Sequence, residues 1–233
     1  MKKPQVIYED NHLLVLNKPV AMPCVPDRTR DLSLLDWAKS YIKTSRNKPG
    51  NAFVAVVHRL DRPVSGVVCF ALTSKAASRL SDQLRRHIFQ KEYIAICKGI
   101  GKDKSGEIKH WVLKDRQKNQ VILYGERNRP PKSKLACTKW EILAEKDGLS
   151  LVKLIPVTGR PHQLRAQMAF CNMPILGDIK YGLGPRCEDG GIFLHAYRLK
   201  IIHPTKKEEL TFLANIPNKF RNNFRDWFVK DEA

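Results

Sequence analysis

Residues 53 to 72, FVAVVHRLDRPVSGVVCFAL, set two apolar, β-rich runs on either side of a short polar segment. The runs Phe53–Val57 and Val67–Leu72 read as buried strands. Pro63, Ser65 and Gly66 punctuate the segment between them as loop. Asp61 is therefore a carboxylate on a loop between two stiff elements, with Arg59 and Arg62 beside it. A loop placed by a rigid scaffold is a common seat for chemistry. Neighbouring guanidinium groups keep a carboxylate ionised. Taken alone, HRLDR reads equally well as a solvated ion-pair loop.

The chain has 233 residues, which fits a single substantial domain. Its 42% of hydrophobic residues can furnish a core, which excludes global disorder. The net charge of +19, from 42 Lys and Arg against 23 Asp and Glu, points to nucleic acid or an anionic membrane as partner. The run Val67–Leu72 is far too short to span a bilayer. The start MKKPQVIYED turns acidic before any apolar segment develops, so it does not read as a signal peptide. A cytoplasmic protein is the expectation. The six cysteines form no CxxC or close pair, which argues against zinc motifs and a disulfide framework.

Along the chain, Val6–Tyr8 and Leu13–Leu16 read as strands around Glu9-Asp10-Asn11. Ser33 caps a helix to Lys43, and Thr73 or Ser74 caps another to about Ile88. Lys91–Lys98 is a strand carrying Tyr93. Residues 99–134 form a basic stretch with strand candidates at Glu107–Leu113 and Gln120–Tyr124; it reads as a small lobe or insertion, and as an RNA-facing surface. Leu135–Leu143 and Leu149–Val157 make a hairpin across Lys146-Asp147-Gly148. Pro161 suits the first turn of a helix reaching about Cys171. A Gly-rich loop, Pro174–Gly184, precedes closing strands at Ile192–Ile202 and Glu209–Ala214. Asn218–Val229 reads as one amphipathic helix with Phe220, Phe224, Trp227 and Phe228 in the core. The pattern predicts an α+β fold with a mixed, largely antiparallel central sheet and flanking helices.

His58-Arg59-Leu60-Asp61, followed by Ser65-Gly66, resembles the signature of the RluA family of RNA pseudouridine synthases. Leu16-Asn17-Lys18-Pro19 resembles the family's Lys-Pro motif, and Lys91-Glu92-Tyr93 its K-x-Y strand. Thr158 to Arg165, TGRPHQLR, is similar to a further family segment, as are Pro174-Ile175-Leu176-Gly177-Asp178 and Tyr181-Gly182. In this order they span nearly the whole chain. Val64 stands where the family commonly has Thr, and Ala21 where Gly is frequent. No stretch before Val6 resembles the S4 RNA-binding domain of longer members, so the expectation is a single catalytic domain over residues 1–233.

The resemblance implies the pseudouridine synthase fold and isomerisation of uridine in RNA: the C1′–N1 bond breaks, the uracil turns, and C1′ joins C5. It implies no metal and no organic cofactor. Structured RNA, rRNA or tRNA, is the implied partner, with no DNA and no membrane; a monomer is the default. The family's essential aspartate matches Asp61, which attacks C1′ or the base or takes a ribose proton. The tyrosine that stacks on uracil matches Tyr93, and the basic partner of the aspartate matches Arg165. Arg59 matches an arginine that fills the gap left by the flipped base, and Leu164 an apolar residue lining the uracil pocket. Extrusion of a stacked base costs a few kcal/mol (about that much in flipping enzymes generally), which such contacts offset. Two other readings are a catalytically silent RNA-binding module of the same fold and, last, a basic hydrolase using Asp61. The hydrolase lacks a second carboxylate or a Ser/His partner at recognisable spacing.

Overall fold

The computed structural model describes residues 3–47, 49–101, 103–115, 117–182 and 184–230. Lys102 and Arg116 of the basic stretch, and Leu183 of the Gly-rich loop, lie outside the described residues. In chain order the elements are β1 (Gln5–Glu9), β2 (Leu13–Lys18), α1 (Leu34–Ser45), β3 (Ala55–Val56), β4 (Ser65–Ala71), α2 (Ser74–Arg85) and β5 (Gln90–Lys98). There follow β6 (Ser105–Asp115), β7 (Gln120–Tyr124), β8 (Lys134–Lys146), β9 (Leu149–Pro156), α3 (Gln163–Phe170), β10 (Leu194–Ile202), β11 (Glu209–Leu213), α4 (Asn218–Asn223) and α5 (Arg225–Lys230). Every pairing whose register is described is antiparallel. With helices beside the strands, the class is the α+β one expected.

The chain divides into two compact units. The first runs to Lys91 and takes in Asp189–Gly191 and Ala196–Asn215; the second takes Glu92–Glu188, Ile192–His195 and the chain from Ile216 on.

In the first unit the strands lie in the order β1-β2-β4-β10, with β11 on β10 and β3 on β4. The β1–β2 turn is closed by the Asp10 carboxylate, which accepts the His12 and Leu13 N–H groups at 2.7 and 2.8 Å. Leu13 to Leu16 are fully buried, and so is most of β4, which makes these two strands the core of the unit. α1 begins as its sequence dictates: the Ser33 hydroxyl accepts Asp36 N–H and donates to the Asp36 carboxylate. Thr73 caps α2 in the same way through Ala76 N–H. Buried Gln83 then ties α2 to β10 by bonding both backbone groups of Ile202. Buried His203 donates to Asp10 at 2.7 Å, joining the end of β10 to the first turn.

Two expectations around Asp61 change here. Ser65 and Gly66 open β4 and are not loop residues. Phe53–Val57 is not a buried strand: only Ala55 and Val56 pair with β4, and Phe53 and Val56 are exposed. β4 already has β2 on one side and β10 on the other, and β3 is left with a two-residue pairing at Phe70 and Ala71. The β10 neighbour explains Gly66. Its φ is +119°, and a Cβ there would lie 2.2 Å from the Ala196 carbonyl oxygen. Gly66→Ala is expected to lower stability by at least ~3 kcal/mol, read as a fall in the urea midpoint.

In the second unit the order is β5-β9-β8-β6-β7. The basic stretch supplies β6 and β7. The β8–β9 hairpin turns through Asp147 and Gly148 at φ of +50° and +73°, the left-handed pair that a two-residue hairpin needs. α3 sets Ala166 against Val112, Val121 and Ala136. Its two buried glutamines stitch it to the sheet: Gln163 donates to the Cys137 carbonyl and the Thr138 hydroxyl, and Gln167 to the Ile108 and Ala136 carbonyls. α3 starts at Gln163, after His162 in the left-handed region at φ +51°, so Pro161 precedes the helix. The Gln163 side chain accepts Arg160 N–H, a local closure that replaces the expected proline start.

The expected helix at 218–229 is broken at Phe224 into α4 and α5. The Asn223 amide bonds the Lys219 carbonyl and competes with the helical ladder there. Phe220, Phe224 and Phe228 are buried, as the core reading required, but Trp227, expected with them, is only half-buried. Among the described residues no helix is long and apolar enough to cross a membrane.

Candidate active site

The Asp61 segment belongs to the first unit. Leu60 is buried and anchors it, Asp61 is half-buried and Arg59 is exposed. A turn closes immediately behind, with Val64 N–H on the Asp61 carbonyl at 3.0 Å. Leu60 N–H reaches the Cys24 sulfur at 3.3 Å. Burial pushes the Cys24 thiol pKa up, so the sulfur stays a protonated acceptor rather than a thiolate. Arg62 does not serve as a second guanidinium turned to Asp61 alone. Its Nε donates to the Ala21 carbonyl, Nη1 to Thr29, and Nη2 pairs with Asp31. The loop before α1 is thus fastened to the residue next to Asp61.

Lys18 is the strongest feature that residue-level reading left without a role. Its side chain is fully buried at the end of β2. Nζ donates to the carbonyls of Pro19, Met22 and Arg62 at 2.9, 2.8 and 3.2 Å. One ammonium therefore holds the strand end, the following loop and the Asp61 segment together. Burial lowers its pKa to about 8, against the favourable charge of the Asp61 carboxylate. The available signal was a lysine closing an otherwise apolar strand, LLVLNK. Lys18→Met strips three carbonyls of their donor, at roughly 1 kcal/mol or more each. The expected result is a lower urea midpoint together with a lower kcat, because the Asp61 segment loses its brace.

His58 works in the same frame. Its Nε2 accepts Cys69 N–H from β4 at 2.9 Å, and its ring meets Phe89 edge-on at 4.9 Å. Burial, helped by the Lys91 charge, lowers its pKa to about 3. The ring is therefore neutral and structural. The unfolded chain binds a proton below about pH 6.5 that the folded ring refuses. The contribution is complete above that pH and is lost as pH falls towards 3, at up to ~1.4 kcal/mol per pH unit. His58→Gln should show a shallower loss of urea stability than wild type between pH 6.5 and 4. Parallel curves would remove His58 as the titrating group.

The second unit holds Tyr93, Leu164 and Arg165. Tyr93 is buried in β5 opposite Leu154 of β9. Leu164 and Arg165 are consecutive and buried on α3. Arg165 is gripped bidentately by Asp178, Nε to Oδ2 at 2.7 Å and Nη2 to Oδ1 at 2.8 Å, and both side chains are nearly inaccessible. Asp178 also accepts Lys180 N–H at 3.0 Å, so it shapes its own loop. The guanidinium lies 5.3 Å from the centre of the Tyr181 ring. The Tyr181 hydroxyl accepts Val121 N–H and bonds His162 Nδ1, both at 2.8 Å. Asp178 and Tyr181 thus shape their own loop and also fix Arg165. A planar, permanently charged guanidinium held in this way is pre-aimed for a carboxylate or phosphate. Among the described residues no group of three or more His, Cys, Asp or Glu side chains is placed to hold a metal ion.

The arrangement can be set beside known proteins. Residues 12–170 match the RNA pseudouridylate synthase family. The chain is 38% identical over 221 residues to the dual-specificity RNA pseudouridine synthase RluA of Haemophilus influenzae, covering 90% of this chain and 91% of that one. It is 33% identical to tRNA pseudouridine synthase C of Haemophilus ducreyi, covering 96% and 98%. The solved structure of human RNA pseudouridylate synthase domain containing 4 shares the fold with a TM-score of 0.78 at 24% identity, over 94% of this chain and 91% of that one. With the family match spanning most of the chain, and the HRLD segment, the K-x-Y strand and the TGRPHQLR segment all inside it, the chain belongs to the RluA-type RNA pseudouridine synthases, enzymes that isomerise uridine in RNA to pseudouridine.

Proposed function

We propose that this enzyme acts on uridine in rRNA or tRNA in the cytoplasm, with Asp61 as its catalytic carboxylate. Tyr93 stacks on the extruded uracil and takes the C5 proton, and Arg165 orients the carboxylate. Leu164 lines the uracil pocket, and Arg59 fills the gap left in the stack. The C1′–N1 bond breaks, C1′ joins C5, the C5 proton leaves and N1 gains one, so the change is an isomerisation needing no co-reactant. The observation that carries the reading is the bracing around Asp61: Lys18 on the Arg62 carbonyl, Cys24 on Leu60 N–H, and Arg62 on the 21–31 loop. Such a fixed carboxylate is what positional catalysis needs. The exposed Arg59 beside it suits a residue that enters the RNA stack. The names of the relatives, one acting on tRNA and one (ribosomal large subunit pseudouridine synthase C of Buchnera aphidicola) on the ribosomal large subunit, support rRNA and tRNA as the substrate class. The family match takes in parts of both units, which supports reading them as one catalytic domain.

The test supplies purified protein separately with tRNA and rRNA from a strain that lacks it. Nucleosides are then digested and pseudouridine is quantified. A rise in either pool is expected. Binding to both without a rise in either would favour the silent RNA-binding module.

A further inference from the structure

The loop Asp27-Arg28-Thr29-Arg30-Asp31 alternates residues that are tied to Arg62 with residues that are not. Thr29 is the hub: its hydroxyl accepts Arg62 Nη1 at 2.9 Å and lies 2.5 Å from Asp27 Oδ1 and 3.0 Å from Asp31 Oδ2. Thr29 N–H also bonds Asp27 at 2.9 Å. Arg62 pairs with both carboxylates, so their charges are matched within the loop's own anchor. The Thr29 hydrogen bonds hold the Asp27 carboxyl below the usual range, and Arg62, then Thr29, do the same for Asp31. The intervening arginines are exposed, and neither forms an ion pair with a carboxylate among the described residues. Arg30 sits at φ +60°, a conformation that costs a non-glycine residue of order 1 kcal/mol and that the hub maintains. The anchor of this loop is the residue that follows Asp61 in the chain. The loop that carries these two exposed arginines is thereby fastened to the residue next to Asp61.

We propose that Arg28 and Arg30 form an RNA-backbone contact, gripping phosphates of the substrate strand next to the Asp61 segment. The acids and Thr29 serve as the anchor that presents them. The proposal rests on the reading that the substrate is RNA and adds the surface that holds it. Arginine suits the task because its fork matches a phosphate bidentately. Removing one arginine–phosphate pair reduces the dependence of log affinity on log salt by roughly 0.7–0.9.

The experiment measures Kd for bulk tRNA and bulk rRNA, prepared from cells lacking the protein, between about 50 and 200 mM salt. Wild type is compared with Arg28→Ala/Arg30→Ala and with Lys39→Ala/Lys43→Ala, which removes the same charge from exposed positions of α1 in the same unit. The loop variant is expected to bind about tenfold more weakly near 100 mM salt, with the salt slope reduced by about 1.5. The helix variant should change far less. Wild-type affinity and slope in the loop variant, or an equal loss in the helix variant, would overturn the proposal. Binding is read without reference to catalysis. Failure to form pseudouridine would thus count against the catalytic reading, whereas an unchanged Kd would count against this contact.

Discussion

Asp178→Asn is expected to lower stability by about 3–5 kcal/mol and to abolish pseudouridine formation in the same stroke. The reason is the depth of the pair. Both Arg165 and Asp178 are almost inaccessible, and two hydrogen bonds at 2.7 and 2.8 Å join them. Removing one charge leaves the other buried and uncompensated, which costs far more than the intact pair contributes. Arg165→Met should lose a similar amount. The double variant Arg165→Met/Asp178→Leu separates structure from chemistry. It removes both charges, so it should recover part of the stability, yet it has no guanidinium to orient a carboxylate and stays inactive. Urea denaturation and a pseudouridine assay on the three variants check this. Losses that simply add in the double variant would show that the two side chains are not coupled.

Asp61→Asn is expected to reduce isomerisation by ~10^3-fold or more while RNA binding stays near wild type. The substitution keeps the size and hydrogen-bonding shape of the side chain but removes its charge and basicity. The bracing by Lys18, Cys24 and Arg62 acts on neighbouring residues and on the backbone, so the segment should keep its place. Because C5 exchanges its hydrogen for C1′, RNA tritiated at uracil C5 releases tritium on turnover, and the release rate reads the chemistry directly. A weakened Kd with an unchanged rate at saturating RNA would assign Asp61 to binding instead.

The caps of α1 and α2 and the Asp147-Gly148 hairpin were legible because their partners are within a few residues. The apolar runs of β2, β4 and β9 were legible for the same reason: periodicity and composition are local. What escaped depends on distant neighbours. β3 shrank to two residues because another strand occupies the edge it would have used. Gly66 read as a loop breaker, whereas its missing Cβ admits a backbone from far along the chain. His203 and Asp10 meet across a separation of 193 residues.

At the site, the ordered motifs marked Asp61, Tyr93 and Arg165 through family resemblance, but not what holds them. Lys18 appeared only as half of a Lys-Pro motif, and its hold on the Arg62 carbonyl spans 44 residues. Arg62 appeared as a charge beside Asp61, whereas the fold uses it to fasten a loop. The grip of Asp178 on Arg165 depends on a loop folding back onto α3, which no periodicity announces.

The role of Asp61 is read most directly by mapping pseudouridines after RNA from a strain lacking this protein is incubated with wild type or Asp61→Asn enzyme side by side. Carbodiimide labelling and primer extension read the positions. New stops at discrete uridines are expected with wild type and none with Asp61→Asn. Identical stops with both enzymes would contradict the assignment of Asp61 as the catalytic carboxylate.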